Sequence, residues 1–173
     1  VSAAVKTGDT AYVQEVAREF LAPGTVKVLT IAGMDGKVVG RGHSDKVGDS
    51  VLNQANVKKA LAGEASAGVE EGTVVKFSMR AGQPIKLDGQ MVGSVTSAAE
   101  LSSDTRFVDR AKETMGLECT IFHGDTRVST TIVREGQRAV GTRMDNPKVI
   151  ETVLRQGKTF HSFNQILGRE YNT

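Results

Sequence analysis

The sequence has one cysteine, three prolines and no tryptophan, and none of its apolar runs approaches the ~20 residues needed to cross a bilayer. The lone Cys119 excludes an internal disulfide, offers no pair of zinc thiolates and leaves no Cys-x-x-Cys-His for a c-type haem. Charge of one sign is equally scarce. The 22 basic and 20 acidic residues leave a net charge of +2 and are spread without a Lys/Arg block, so the long-range field is too weak to argue for a nucleic-acid backbone as partner. Gly-x-Ser-x-Gly, His-Glu-x-x-His and Gly-x-x-x-x-Gly-Lys-Ser/Thr are all missing. Ser44 and Asp45 abut His43, too close in sequence to present a nucleophile, its base and an orienter. Cys119 and His123 would suit a metal at that spacing only on a helix, and both lie in strand-like sequence. His161 has no partner and is expected to be exposed. The chain therefore reads as a non-enzyme without metal or cofactor. No signal peptide opens it, and a start at Val1 with an end at Tyr171-Asn172-Thr173 reads as a piece of a longer polypeptide.

The 39% of hydrophobic residues suffices for one core or two small ones, and the order of motifs favours two. Val26–His43 alternates, turns at Met34-Asp35-Gly36 and alternates again, the pattern of a β-hairpin. It returns in Cys119–Thr131: Thr30-Ile31 finds Thr120-Ile121, Asp35 finds Asp125, and Lys37-Val38 finds Arg127-Val128. A helix precedes each hairpin. The first starts at Asp9 or Thr10 with a stripe of Val13, Val16, Ala17, Phe20 and Leu21 and stops at Pro23-Gly24; the second covers 100–116 with Phe107, Val108, Ala111 and Met115. After the first hairpin the pattern gives a short helix from Asp49-Ser50 to Gly63, a turn-rich Gly68–Gly72, and strands at Thr73–Arg80, Ile85–Leu87 and Gln90–Ser97, the last two joined by Asp88-Gly89. After the second it gives strands near Arg127–Val133 and Arg138–Thr142, a helix at Lys148–Arg155 and a strand at Lys158–Phe163. The expected fold is α+β: two tandem units, 1–99 and 100–173, each an antiparallel sheet with helices on one side. The second lacks its last strands, which leaves a sheet edge to be covered.

Because side chains alternate across a strand, Arg41 and His43 share one face, and Gly40 and Gly42 leave the other face free. Lys76, Ser78 and Arg80 share a face of a later strand. Two such strands can converge several donors on a carboxylate, and arginine offers a fork of N–H groups. The alternatives are a solvated face whose cations pair with Glu70, Glu71 or Asp45, or an interface. In the second unit Arg127, Ser129 and Thr131 share a face, with Arg138 and Arg143 near the next strand, so Arg127, Thr131 and Arg143 define a second candidate pocket.

These motifs resemble a known family. DGKVVGRGH, DKVGDSV, VKKALAG and SMRAGQPIKLDGQMVGSV resemble the Cache extracytoplasmic sensor domains, especially those of bacterial methyl-accepting chemotaxis receptors. TIFHGDTRVSTT, GQRAVGTRM and VIETVLRQGKTFHSFNQILGREY resemble the second half of double-Cache receptors. The resemblance implies a PAS-like sheet with flanking helices, a small ligand in its cupped face and a signal passed to the membrane. It implies a periplasmic position within an inner-membrane receptor, and a homodimer in which the unfinished second unit invites strand exchange. Related first units in citrate-sensing kinases bind carboxylates through an Arg and a His on the early strand and Arg, Lys and Ser on later ones. Arg41 and His43 match the early pair, Ser78 and Arg80 match the later group, Lys76 is a looser match, and Thr96 stands where the last strand supplies a hydroxyl. A small carboxylate-like anion is the implied ligand. Sensors of histidine kinases or cyclases share this kind of module, and a protein-interaction module without a small ligand is the reading from a different class.

Overall fold

The computed structural model describes residues 1–21, 26–75 and 77–173. Pro23-Gly24, the expected stop of the first long helix, lies outside them. The chain divides into two compact units, Val1–Glu100 and Leu101–Thr173.

In the first unit the order is α1 (Ser2–Thr7), α2 (Thr10–Leu21), β1 (Val28–Gly33), β2 (Val38–Arg41), α3 (Ala55–Leu61), β3 (Ser66–Glu71), β4 (Phe77–Leu87) and β5 (Gln90–Glu100). The strands form one antiparallel sheet ordered β2-β1-β5-β4-β3. Every residue of β1 is buried, because the sheet is covered on both faces rather than on the single face expected. On one side Val5 of α1 and Val13 and Ala17 of α2 pack with Leu29, Ile31 and Val39. Gly40 and Gly42 permit this approach: a Cβ on Gly40 would sit 2.9 Å from the backbone nitrogen of Gln14, and one on Gly42 would sit 2.3 Å from the carbonyl oxygen of Ala17. On the other side Val57 of α3 packs with Ala32, Val38 and Val51. Phe20, placed by periodicity in the α2 stripe, is 62% exposed.

Three elements depart from expectation. Residues 1–8, read as a frayed start, form α1 and bury Val5. The segment read as a turn around Gly68 is β3, an edge strand whose side chains are nowhere fully buried, so no apolar alternation announces it. The bend read at Gly82-Gln83-Pro84 is absent, and β4 runs straight through. Since β3 ends with Ser66 opposite Gly82, β4 is an open edge at Pro84, where proline is tolerated.

In the second unit the order is α4 (Arg106–Met115), β6 (Thr120–His123), β7 (Thr126–Thr130), β8 (Val133–Arg134), β9 (Gln137–Arg138), α5 (Pro147–Val149), a π-helical turn (Ile150–Arg155), β10 (Phe163–Ile166) and β11 (Arg169–Asn172). The strands pair only as the hairpins β6-β7, β8-β9 and β10-β11. Asn146 caps α5 by accepting from Lys148 N at 3.0 Å, with Pro147 at the first helical position. Of the α4 stripe, Val108 is buried whereas Phe107 and Met115 are more than half exposed. The strand expected at Lys158–Phe163 begins only at Phe163 and is followed by a partner. Each unit's first hairpin carries a register shift at the same motif position, between Ile31 and Ala32 and between Ile121 and Phe122.

Candidate functional site

Directly opposed residues in an antiparallel sheet share a face. Arg41 lies opposite Thr30, Thr30 opposite Thr96, and Thr96 opposite Gly82. By alternation Ser78 and Arg80 of β4, and Ser94 and Ala98 of β5, stand on that same side. It is the side covered by α3, since a Cβ on Gly82 would lie 2.6 Å from the Asn56 carbonyl oxygen. The sequence-predicted group is therefore collected on one face: Arg41 from β2, Ser78 and Arg80 from β4, and Thr96 from β5. That face is not solvated. Arg41, Ser78, Arg80 and Thr96 are all at most 4% exposed. Lys76 lies outside the described residues.

The two arginines are held differently. Arg41 Nη1 and Nη2 donate to the two carboxylate oxygens of Asp49 at 2.7 and 2.9 Å, and Nη1 also donates to the Lys46 carbonyl. Its charge is already met, by Asp49 and not by the anticipated Glu70, Glu71 or Asp45. The paired Arg41 fork holds the Asp49 carboxyl below its ordinary pKa. The Arg41 backbone is fixed from the other face, where Gln14 Nε2 donates to its carbonyl at 2.6 Å and its N–H donates to Gln14 Oε1 at 2.8 Å.

Arg80 has no such carboxylate. Nη1 donates to Gln54 Oε1 at 3.0 Å and Nη2 to the Val75 carbonyl at 2.9 Å, while Nε is buried without a partner. Burial lowers its pKa, and the charge of Arg41 adds to the drop while that of Glu70 opposes it. Glu70 caps α3, accepting from Ala55 N and Asn56 N at 2.9 Å each. Asn56 Nδ2 donates to Thr96 Oγ1 at 2.7 Å, but Asn56 Oδ1, Ser78 Oγ and Ser94 Oγ are buried with no partner. Buried polar atoms are almost always satisfied, so the orphans on Arg80 and Ser78, two residues apart on one face of β4, mark a place for a polar guest under α3. His43 is half-buried with Nδ1 3.0 Å from the Leu29 carbonyl oxygen. Its pKa is lowered by burial first and then by Arg41 and Arg80, against the Leu29 contact.

Reasoning from sequence alone missed Gln54, Asn56, Ser94 and Asp49. The first three are neutral and lack any charge signal; an Arg followed eight residues later by Asp is not a motif, because a loop brings them together.

In the second unit Arg127 lines a cavity of about 520 Å³, and the other two members of the candidate pocket do not. Arg143 is exposed and ion-paired with Asp125. Thr131 accepts from Cys119 N at 2.8 Å and donates to Glu118. His161 is exposed, Cys119 is half-buried with burial raising its thiol pKa, and among the described residues no three metal-ligating side chains cluster.

Residues 99–173 match the family model described as single cache domain 3. Similar solved folds are the sensory domain of the Campylobacter jejuni chemoreceptor Tlp3 (CcmL) and the sensor domain of the V. cholerae histidine kinase DctB. The first is 14% identical over 92% of this chain and 66% of that one, with a TM-score of 0.54; the second is 10% identical over 56% and 39%, with a TM-score of 0.50. The ligand-binding domain of Tlp3 in complex with L-norvaline is 13% identical over 88% and 64%, with a TM-score of 0.53. The chain thus spans less than two thirds of each, and at these identities the likeness is one of fold. No curated protein sequence matches it. Among the described residues no helix is long and apolar enough to cross a membrane.

Proposed function

We propose that the chain is the extracytoplasmic ligand-sensing region of a methyl-accepting chemotaxis receptor, built as two tandem Cache units, and that its first unit binds a small anionic metabolite under α3. The carrying observation is the buried Arg80, whose Nε has no acceptor, with the orphaned hydroxyl of Ser78 two residues away on the same face of β4. An ionised carboxylate can accept from both and is the strongest acceptor for such donors. Thr96 and His43 frame the group from β5 and the end of β2; Arg41, matched by Asp49, holds the floor and adds positive potential without spending its fork on the ligand. Binding favours one of two pre-existing states, the one in which α3 closes on the sheet, and a homodimer carries the change to the membrane. The matched C. jejuni receptor domain has been solved with L-norvaline, whose carboxylate is the same chemistry. A histidine-kinase sensor is the second reading, favoured by the fold shared with DctB.

Titration calorimetry of the whole chain against acetate, pyruvate, citrate and L-norvaline tests the site. At least one is expected to bind, and Arg80→Ala is expected to weaken it by about 1.5–3 kcal/mol, the range for a hydrogen bond to a charged group. An affinity unchanged by Arg80→Ala sinks the assignment.

A further inference from the structure

The 520 Å³ cavity of the second unit has walls of a different character from the hollow under α3. Phe122 of β6, Ile132, Val149, Val153 and Ile166 of β10 make it largely apolar. Into it stands one buried cation, Arg127, 4% exposed. Nη1 donates to Thr142 Oγ1 at 2.8 Å and to the Arg143 carbonyl at 3.4 Å, and the guanidinium lies 4.9 Å over the Phe122 ring. Its Nε is buried without a partner. Asp145, also on the lining, acts on Arg127 through space and opposes the lowering of its pKa by burial. A buried cation with an unmet N–H is costly until an anion completes it.

We propose that this cavity is a second ligand site and that its ligand is an amphipathic monocarboxylate: the carboxylate pairs with Arg127 and the hydrocarbon tail lies on Val149, Val153 and Ile166. One cation in an apolar chamber accommodates one negative group, and Asp145 and Glu118, both on the lining, repel a second. The site therefore discriminates by tail, taking a monocarboxylate with an apolar chain over a dicarboxylate of similar length. It stands independently of the reading of the first unit, because none of its residues belongs to that unit.

The test is calorimetric titration of the whole chain with hexanoate and with succinate, together with methyl chemical-shift mapping in the wild type. Hexanoate is expected to bind at least about tenfold more tightly than succinate and to shift the methyl signals of Ile132, Val149, Val153 and Ile166. Arg127→Gln is expected to weaken hexanoate about tenfold or more, whereas Arg134→Gln, an exposed charge outside the cavity, leaves it unchanged. The proposal is overturned by any one of three results: no hexanoate binding, shifts confined to the first unit's methyls, or full affinity in Arg127→Gln. Should Arg127→Gln fail to fold, the wild-type shift map decides alone.

Discussion

Arg41 and Asp49 make the pair on which the first unit's interior depends. Arg41 is 2% exposed, so removing its partner leaves a buried charge alone. Asp49→Asn is expected to destabilise the protein by on the order of 3 kcal/mol, read as a drop in the urea midpoint; a change under about 0.5 kcal/mol, the surface-substitution range, would contradict it. The same pair sets an acid limit. The folded Asp49 pKa lies below its ordinary 3.8, so the stabilisation is complete above about pH 4 and is lost as the pH falls further. His43 acts earlier on the same downward scale. Its folded pKa lies below 6.5, so the folded state resists protonation, and stability is full above about pH 6.5 and declines as the pH drops below that value. Stability measured from pH 8 to 3 is expected to show two declines, the upper one missing in His43→Gln and the lower one reduced, not abolished, in Asp49→Asn, since Glu118 and Asp125 are also held low by their partners. Much of this scale was legible beforehand: alternation alone put Arg41 and Arg80 on strand faces. Their burial was not, because a strand's pattern says which residues share a face and not what covers it. Gly82 held the missing information, since a glycine opposite Thr96 leaves room for the backbone of a helix.

Among the elements, α3 is short and is held from outside itself. Its first two N–H groups are satisfied by the Glu70 carboxylate on β3, and Asn56 ties it to Thr96 on β5. Glu70→Ala is expected to cost about 1 kcal/mol, the usual loss on removing an N-terminal cap, and to loosen amide-exchange protection in Ala55–Leu61 before the rest of the unit; uniform protection would contradict it. The hairpins β1-β2, β4-β5 and β6-β7 were read correctly from sequence because alternation and an Asp-Gly or Gly-Asp turn coincide there, whereas β8-β9 and β10-β11, which turn at Glu135-Gly136 and Leu167-Gly168, were not. β3 was lost because Ser66–Glu71 has an exposed or half-buried side chain at every position, and α1 because six residues are too few for a periodicity to register. The short helix starts at Ala55 rather than at Asp49-Ser50. Asp49 leaves the helix to serve Arg41, a tertiary demand that local propensity does not contain.

At the scale of the molecule, the first unit has a closed account of itself: five strands, helices on both faces and a core on each side. Val1–Glu100 expressed alone is expected to unfold in a single cooperative urea transition with the sheet's amides protected, and a non-cooperative loss of signal would contradict that. The second unit's strands pair only two by two. Its cavity could not be read from sequence, because Arg127, Asp145, Val153 and Ile166 fall in separate segments and nothing local announces that they meet. The echo read between the two hairpins goes with matching register shifts at Ile31 and Ile121, although Arg41 has no arginine at the corresponding place.

The bond between Asn56 and Thr96 makes α3 and the unit's last strand one mechanical part. β5 is the middle of the sheet and also the stretch by which the polypeptide departs, ending at Glu100. On the proposed reading, any ångström by which α3 settles on a guest is pulled through that one side-chain bond onto the outgoing thread, so occupancy reaches the backbone in a single step.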